Sequence, residues 1–194
     1  MNFAKMINRV TRAAMLDVNL YEEVEADTSL NQEALIVVVL ASIAAGIGGL
    51  VGSLLLGGNI GPAFMALIVA AVLGVVNYYI WSYLTYFVGT SLFGGTADPG
   101  ELLRVLGYAS GPRVLGLLNF IPCVGWVFGL GGAIWALVAG VIAVREALDF
   151  DTTKAILTVI IGWVAILVIS TIVGTVLGVG AIGLGAVISS LSGR

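Results

Sequence analysis

From residue 34 onward the chain is a series of long apolar runs separated by brief polar punctuation. Residues 34–58 form the first run, whose 25 residues at ~1.5 Å each exceed a ~30 Å hydrocarbon core and allow tilt. Asn59-Ile60-Gly61-Pro62 reads as a turn, and a second run covers residues 63–93, closing at Gly94-Gly95. Residues 101–121 form a third, kinked run, because Gly111-Pro112 must break or bend a helix and Pro122 ends it. Residues 126–144 and 155–177 give the fourth and fifth. Residues 178–193 are apolar and Gly-rich and too long to extend the fifth helix straight, so the reading places a bend near 178–180 and a short terminal helix.

The first 33 residues follow another pattern. Phe3, Ile7, Val10 and Ala14 recur at helical spacing on one side, and Lys5, Arg9 and Arg12 fall on the other. Two readings fit: a basic amphipathic helix in the membrane interface with its cations toward lipid phosphates, or a helix docked on the protein's own cytoplasmic face. An acidic stretch follows, with Asp17, Glu22, Glu23, Glu25 and Asp27, and Glu33 stands at the edge of the first apolar run.

Composition turns this pattern into a class. Mean hydropathy is +1.13, and only 10% of residues are charged, against roughly a quarter in soluble domains. The expected fold is therefore an all-α transmembrane bundle of about five spans with an interfacial N-terminal helix, in which residues 1–33 are a cytoplasmic segment and 34–194 a membrane domain. With an inward amino terminus, the segments 1–33, 94–104 and 145–154 hold every Lys and Arg except Arg113 and Arg194. The carboxyl terminus then lies outside. If residues 112–125 instead formed a re-entrant hairpin, Arg145 and Lys154 would move to the far side. The first run follows an acidic segment and has no cleavage-like signal, so it reads as a retained helix.

The same inventory excludes several chemistries. There is no Lys/Arg-rich block, which argues against nucleic acid, and one cysteine permits no intrachain disulfide. With no histidine, no carboxylate inside a span and no phosphate- or dinucleotide-binding glycine motif, the reading is of a non-enzyme without cofactor or metal. Cys123, at an outer turn without a basic neighbour, reads as an inert thiol.

Two constellations remain. The acids Asp17, Glu22, Glu23, Glu25 and Asp27 are candidates for docking a basic partner, with solvation, pairing to the protein's own cations, or a divalent ion as the alternatives. Lys5, Arg9 and Arg12 are membrane-surface candidates. Arg113 falls ~12 residues, or ~18 Å, beyond Glu101. In a straight span it sits near mid-membrane facing Asn77, Asn119 or tyrosine hydroxyls, Tyr83 among the candidates; in a kinked one it snorkels to the interface. Small-residue spacings such as Gly48/Gly52, Gly125/Gly129 and Gly132/Ala136/Gly140 let helix backbones approach, within one chain or between copies.

Three separated segments, RAAMLDVNLYEEVEADTSLNQEALIVVVLASIAAGIGG, ELLRVLGYASGPRVLGLL and AVREALDFDTTKAILTVIIGW, resemble in order the prokaryotic branch of the YIP family, named for interaction with Ypt/Rab GTPases. The resemblance covers residues 10–177 and implies a five-span helical domain with a cytoplasmic amino terminus, in a prokaryotic inner membrane. Eukaryotic relatives bind prenylated small GTPases; with only about 33 residues before the first span, a GTPase partner is not expected here. The leading functional expectation is a membrane-organising or partner-binding module acting through its cytoplasmic face. The alternatives are a small channel or transporter with a polar path around Arg113, and an accessory subunit of a larger membrane complex. The bilayer, a second copy or another membrane subunit are the partners in view.

Overall fold

The structure, a computed structural model, describes residues 2–168 together with 171, 172 and 175. Two short helices open the chain: α1 (Phe3–Ala14), capped by the Asn2 side chain, and α2 (Val18–Ala26), capped by Asp17. Both caps accept backbone N–H groups that a first helical turn leaves unpaired. A 3₁₀ turn, Thr28–Leu30, started by Asp27 accepting from the Ser29 N–H at 2.9 Å, leads into α3 (Asn31–Leu55). Then come α4 (Ile60–Phe93), α5 (Pro99–Ala109), a 3₁₀ segment (Gly111–Phe120), α6 (Gly125–Ala147) and α7 (Thr152–Val168).

Three of these helices are long and apolar enough to cross a bilayer: the first, taken from Thr28 to Leu55, then Ile60–Phe93 and Gly125–Ala147. α7 is apolar but shorter over its described residues, and the bend and terminal helix expected at 178–193 lie outside them. The third run differs most from a simple reading. It starts earlier than residue 101, at Pro99, where Asp98 and Glu101 form a reciprocal capping box. The α-helix stops at Ala109, because Pro112 has no N–H to give and its ring collides with the carbonyl four residues back. The chain continues as ten residues of 3₁₀ helix. The turn between the first two spans is also shorter than expected: Ile60, Gly61 and Pro62 belong to the first turn of α4, where a missing N–H costs nothing.

The elements alternate in direction. Ala34 packs at Gly107 and Ala45 at Gly116, so α3 and the α5–3₁₀ segment run parallel. Ser42 faces Gly74 and Gly46 faces Leu67, which sets α4 antiparallel to α3. α6 returns past the 3₁₀ segment, Gly132 against Pro112 and Gly129 against Asn119, and α7 starts beside the end of α4, where the Lys154 ammonium donates to the Phe93 carbonyl at 3.4 Å. Close approach is required at Gly48, where any Cβ would collide with the carbonyl oxygens of Gly116 and Leu117.

α1 and α2 form a collar over one end of this bundle. Leu20, Tyr21 and Val24 of α2 are fully buried among the ends of α5 and α6. The last carbonyls of α1 are capped from two directions: the Tyr21 hydroxyl donates to Ala13 O at 3.1 Å and the Trp135 indole N–H to Ala14 O at 2.8 Å. Met6, Val10 and Ala13 turn toward the core, whereas Phe3, Ile7 and Met15 are exposed, so only part of the apolar stripe of α1 is spent on packing.

Candidate functional site

At the collar, the cations of α1 meet the acids of α2 and α3. Arg12 reaches Asp17 at 2.7 Å and Glu23 at 2.9 Å, and Arg9 reaches Glu23 at 3.3 Å and Glu33 at 2.9 Å. Glu33 is buried and accepts a second bond, 2.6 Å, from the Tyr108 hydroxyl. A buried carboxylate needs both a counter-ion and hydrogen bonds, and Glu33 has them from α1 and α5. The Arg12 hydrogen bonds hold the carboxyls of Asp17 and Glu23 below their ordinary range, and Ser29 does the same for Asp27. Lys5 is exposed on the outer side of α1, beside a shallow groove it shares with Arg9, Arg12 and Glu23.

The remaining acids of α2 behave differently. Among the described residues, Glu22, Glu25 and Asp27 make no ion pair. Burial pushes the Glu25 carboxyl up to about 7, and the charges of Glu101, Asp149 and Glu146 add to this against the opposing Arg104. The five acids named from the sequence therefore divide: Asp17 and Glu23 are paired inward with α1, and Glu22, Glu25 and Asp27 look away from it.

Arg104 is not singled out by the sequence, where it counts only among the protein's own cations. It is 2% exposed, and its guanidinium donates to Val24 O at 3.0 Å, to Asn31 Oδ1 at 3.1 Å and to Glu25 O. Those two carbonyls are in the last turn of α2, where no intrahelical donor exists and the helix dipole favours a cation. The signal available in the sequence was a single arginine set inside the apolar run Leu102, Leu103, Val105, Leu106.

The second constellation lies deeper. Arg113, one residue past the Pro112 break, has its Cα against Gly132, in the half of α6 away from the collar. Its side chain is partly buried and lines two clefts, one between α3 and α4 of about 470 Å³ and one among α4, α6 and α7 of about 250 Å³. Asn77 shares the second cleft with it. Tyr83 and Asn119 do not join them: Tyr83 is 51% exposed on α4, and Asn119 is pressed against Gly129. The Tyr78 hydroxyl donates to Leu103 O at 2.6 Å instead. Cys123 is exposed at the turn before α6. Among the described residues, no group of three or more His, Cys, Asp or Glu is placed to hold a metal ion.

Long apolar helices, glycine-mediated packing and a charged collar at one end define a polytopic helical membrane protein. Within that class, the Yip1 domain family model matches residues 19–174, and the chain belongs to this family. No curated protein and no solved structure matches it.

Proposed function

We propose that this chain is a non-catalytic module that crosses the membrane five times and binds a protein partner through its cytoplasmic collar. The observation that carries the reading is the division of the collar acids: Glu22 and Asp27 are exposed and Glu25 is half-buried, none with an ion-pair partner among the described residues, and Glu25 is crowded by Glu101, Glu146 and Asp149. Around Glu25 the acids Glu101, Glu146 and Asp149 outnumber the nearby cations Arg104 and Arg145, and an excess of acid is complementary to a basic surface. The orientation is supported by the basic residues: Lys5, Arg9, Arg12, Arg104, Arg145 and Lys154 all belong to the collar end of the bundle, the cytoplasmic side by the positive-inside rule. Five alternating crossings from an inner amino terminus carry the carboxyl terminus to the outside of a prokaryotic inner membrane. Family membership supplies the membrane setting and leaves the partner to be found by its charge.

The test is gentle extraction of the full chain from its own membrane, followed by native mass spectrometry of wild type and an E22K/E25K/D27K variant. A heteromeric mass in wild type that is missing from the folded variant supports the reading. Identical assemblies in the two, or a bare monomer in both, refute it.

A further inference from the structure

The cation at Arg113 has no use in a collar-based function. Among the described residues its guanidinium makes no hydrogen bond to protein, and α3, α4, the 3₁₀ segment and α6 before Arg145 hold no carboxylate beyond Glu33, which is already engaged by Arg9 and Tyr108. A bare cation inside a membrane bundle is costly, so it demands a partner or water.

Its neighbours make the imbalance worse. Ser42 is 6% exposed, lines the α3–α4 cleft with Arg113, and its hydroxyl has no partner. A serine in a membrane helix ordinarily returns its hydrogen bond to the carbonyl four residues back, and this one does not. On the other side of Arg113, a small cavity is lined by Trp81 and Ser82, whose indole N–H and hydroxyl are also buried and unpartnered. Guanidinium and indole are donors only, and the hydroxyls can donate. Two elements, α3 and α4, thus bring unpaired donors to Arg113, and among the described residues no acceptor is hydrogen-bonded to its guanidinium.

We propose that Arg113 with Ser42 forms a binding site for a small hydrated anion, an inorganic monoanion or a short carboxylate, held at mid-depth and reached along the α3–α4 cleft from the end opposite the collar. The cleft runs from Arg113 and Ser42 to Ser53, Pro62 and Ala63, next to the α3–α4 turn, and its walls are chiefly Ala, Gly and Ser. At about 470 Å³ it has room for an anion with its water. Ser42 and Ser53 are eleven residues apart, or ~16 Å along the helix, so a phospholipid with its head at the interface cannot bring its phosphate to Arg113. That depth selects a water-borne anion over a lipid head group.

The test uses the full chain in nanodiscs with Trp81 as the remaining tryptophan (W126F/W135F/W163F) and iodide as both anion and quencher, at constant ionic strength. The expected result is saturable quenching that nitrate or acetate competes away. In R113Q the apparent affinity falls at least roughly tenfold, as expected for loss of one charge-assisted bond. R113K keeps much of it, and quenching by neutral acrylamide is unchanged throughout. Should R113Q fail to fold, S42V carries the test, with a several-fold weaker site expected. Linear quenching of equal slope in wild type and S42V overturns the proposal, and so does protection by oleate without protection by nitrate or acetate. The E22K/E25K/D27K chain is expected to bind iodide as wild type does, which separates this site from the collar.

Discussion

Replacing Arg104 by methionine keeps the length of the side chain and removes the group that closes α2. The cost follows from its three acceptors. Val24 O belongs to a fully buried residue and has no helical donor, so its orphaning costs about 1.5–3 kcal/mol, the range for a bond to a charged group. Glu25 is half-buried and Asn31 exposed, so these acceptors rehydrate, at about 1 kcal/mol each. The total is about 3–5 kcal/mol, borne by the docking of α2. Hydrogen exchange in nanodiscs reads this directly: amides across Val18–Ala26 are expected to exchange on the order of a hundredfold to several thousandfold faster, with the core of α3 little changed. R104K, with one point charge for three acceptors, falls between. R12A is the control, because its partners Asp17 and Glu23 are substantially exposed and solvent screens such pairs. If R104M exchanges in α2 no faster than R12A, the assignment of Arg104 as the α2 clamp is wrong.

Three further outcomes follow from the geometry. Glu25 has a folded pKa of about 7, above its ordinary 4.5, so the fold holds that proton more tightly than the unfolded chain does. Its contribution is intact below pH 4.5 and is lost as pH rises through 7, and E25Q is therefore expected to be more stable than wild type by about 1 kcal/mol at pH 8, discounted for exposure, and no different at pH 4 by thermal unfolding. Glu33 accepts from Arg9 and Tyr108, so E33Q is expected to cost about 1–3 kcal/mol, with a double-mutant cycle against Y108F giving a coupling of about 1 kcal/mol; strict additivity would sink the hydrogen bond. G48V pushes a branched side chain into the Gly116 and Leu117 carbonyls, and loss of several degrees in melting temperature is expected, whereas G49A, at a position with nothing within 4 Å, melts as wild type.

Much of the architecture was legible because lipid imposes strong rules on sequence. Length and apolarity locate α3, α4 and α6 within a few residues, and Pro112 marks the break in the third run. What the pattern could not convey is how the chain proceeds after the break, because hydrophobic periodicity shows that an α-helix ends and says little about a 3₁₀ continuation. The collar was harder. Its acids and bases are visible as a cluster, but which carboxylate pairs with which guanidinium depends on the angle between α1 and α2, set at an elbow where Leu16 takes a φ of 63°. The roles of Arg104 and Glu33 were not legible for one reason: each is a lone charge beside an apolar run, and only tertiary contact distinguishes a boundary marker from a buried clamp.

The 3₁₀ segment ties these observations together. A 3₁₀ helix is thinner than an α-helix and rises ~2.0 Å per residue, so ten residues cover ~20 Å, and with the ~16 Å of α5 the pair is as long as a bilayer core is thick. Such a segment survives in lipid only if its backbone is paired internally and shielded by protein. Shielding comes from α3 and α6, whose glycines at 48, 52, 125, 129 and 132 bring their backbones against it from two sides. The stripes that read as generic helix contacts are thus committed to one narrow neighbour. On that same α5–3₁₀ run lie Arg104, bound to the end of α2, Tyr108, bound to Glu33, and Arg113 at the clefts. The α5–3₁₀ run is therefore the element through which the collar is fastened to the rest of the bundle, with Arg104 and Tyr108 before the Gly111-Pro112 break and Arg113 directly after it.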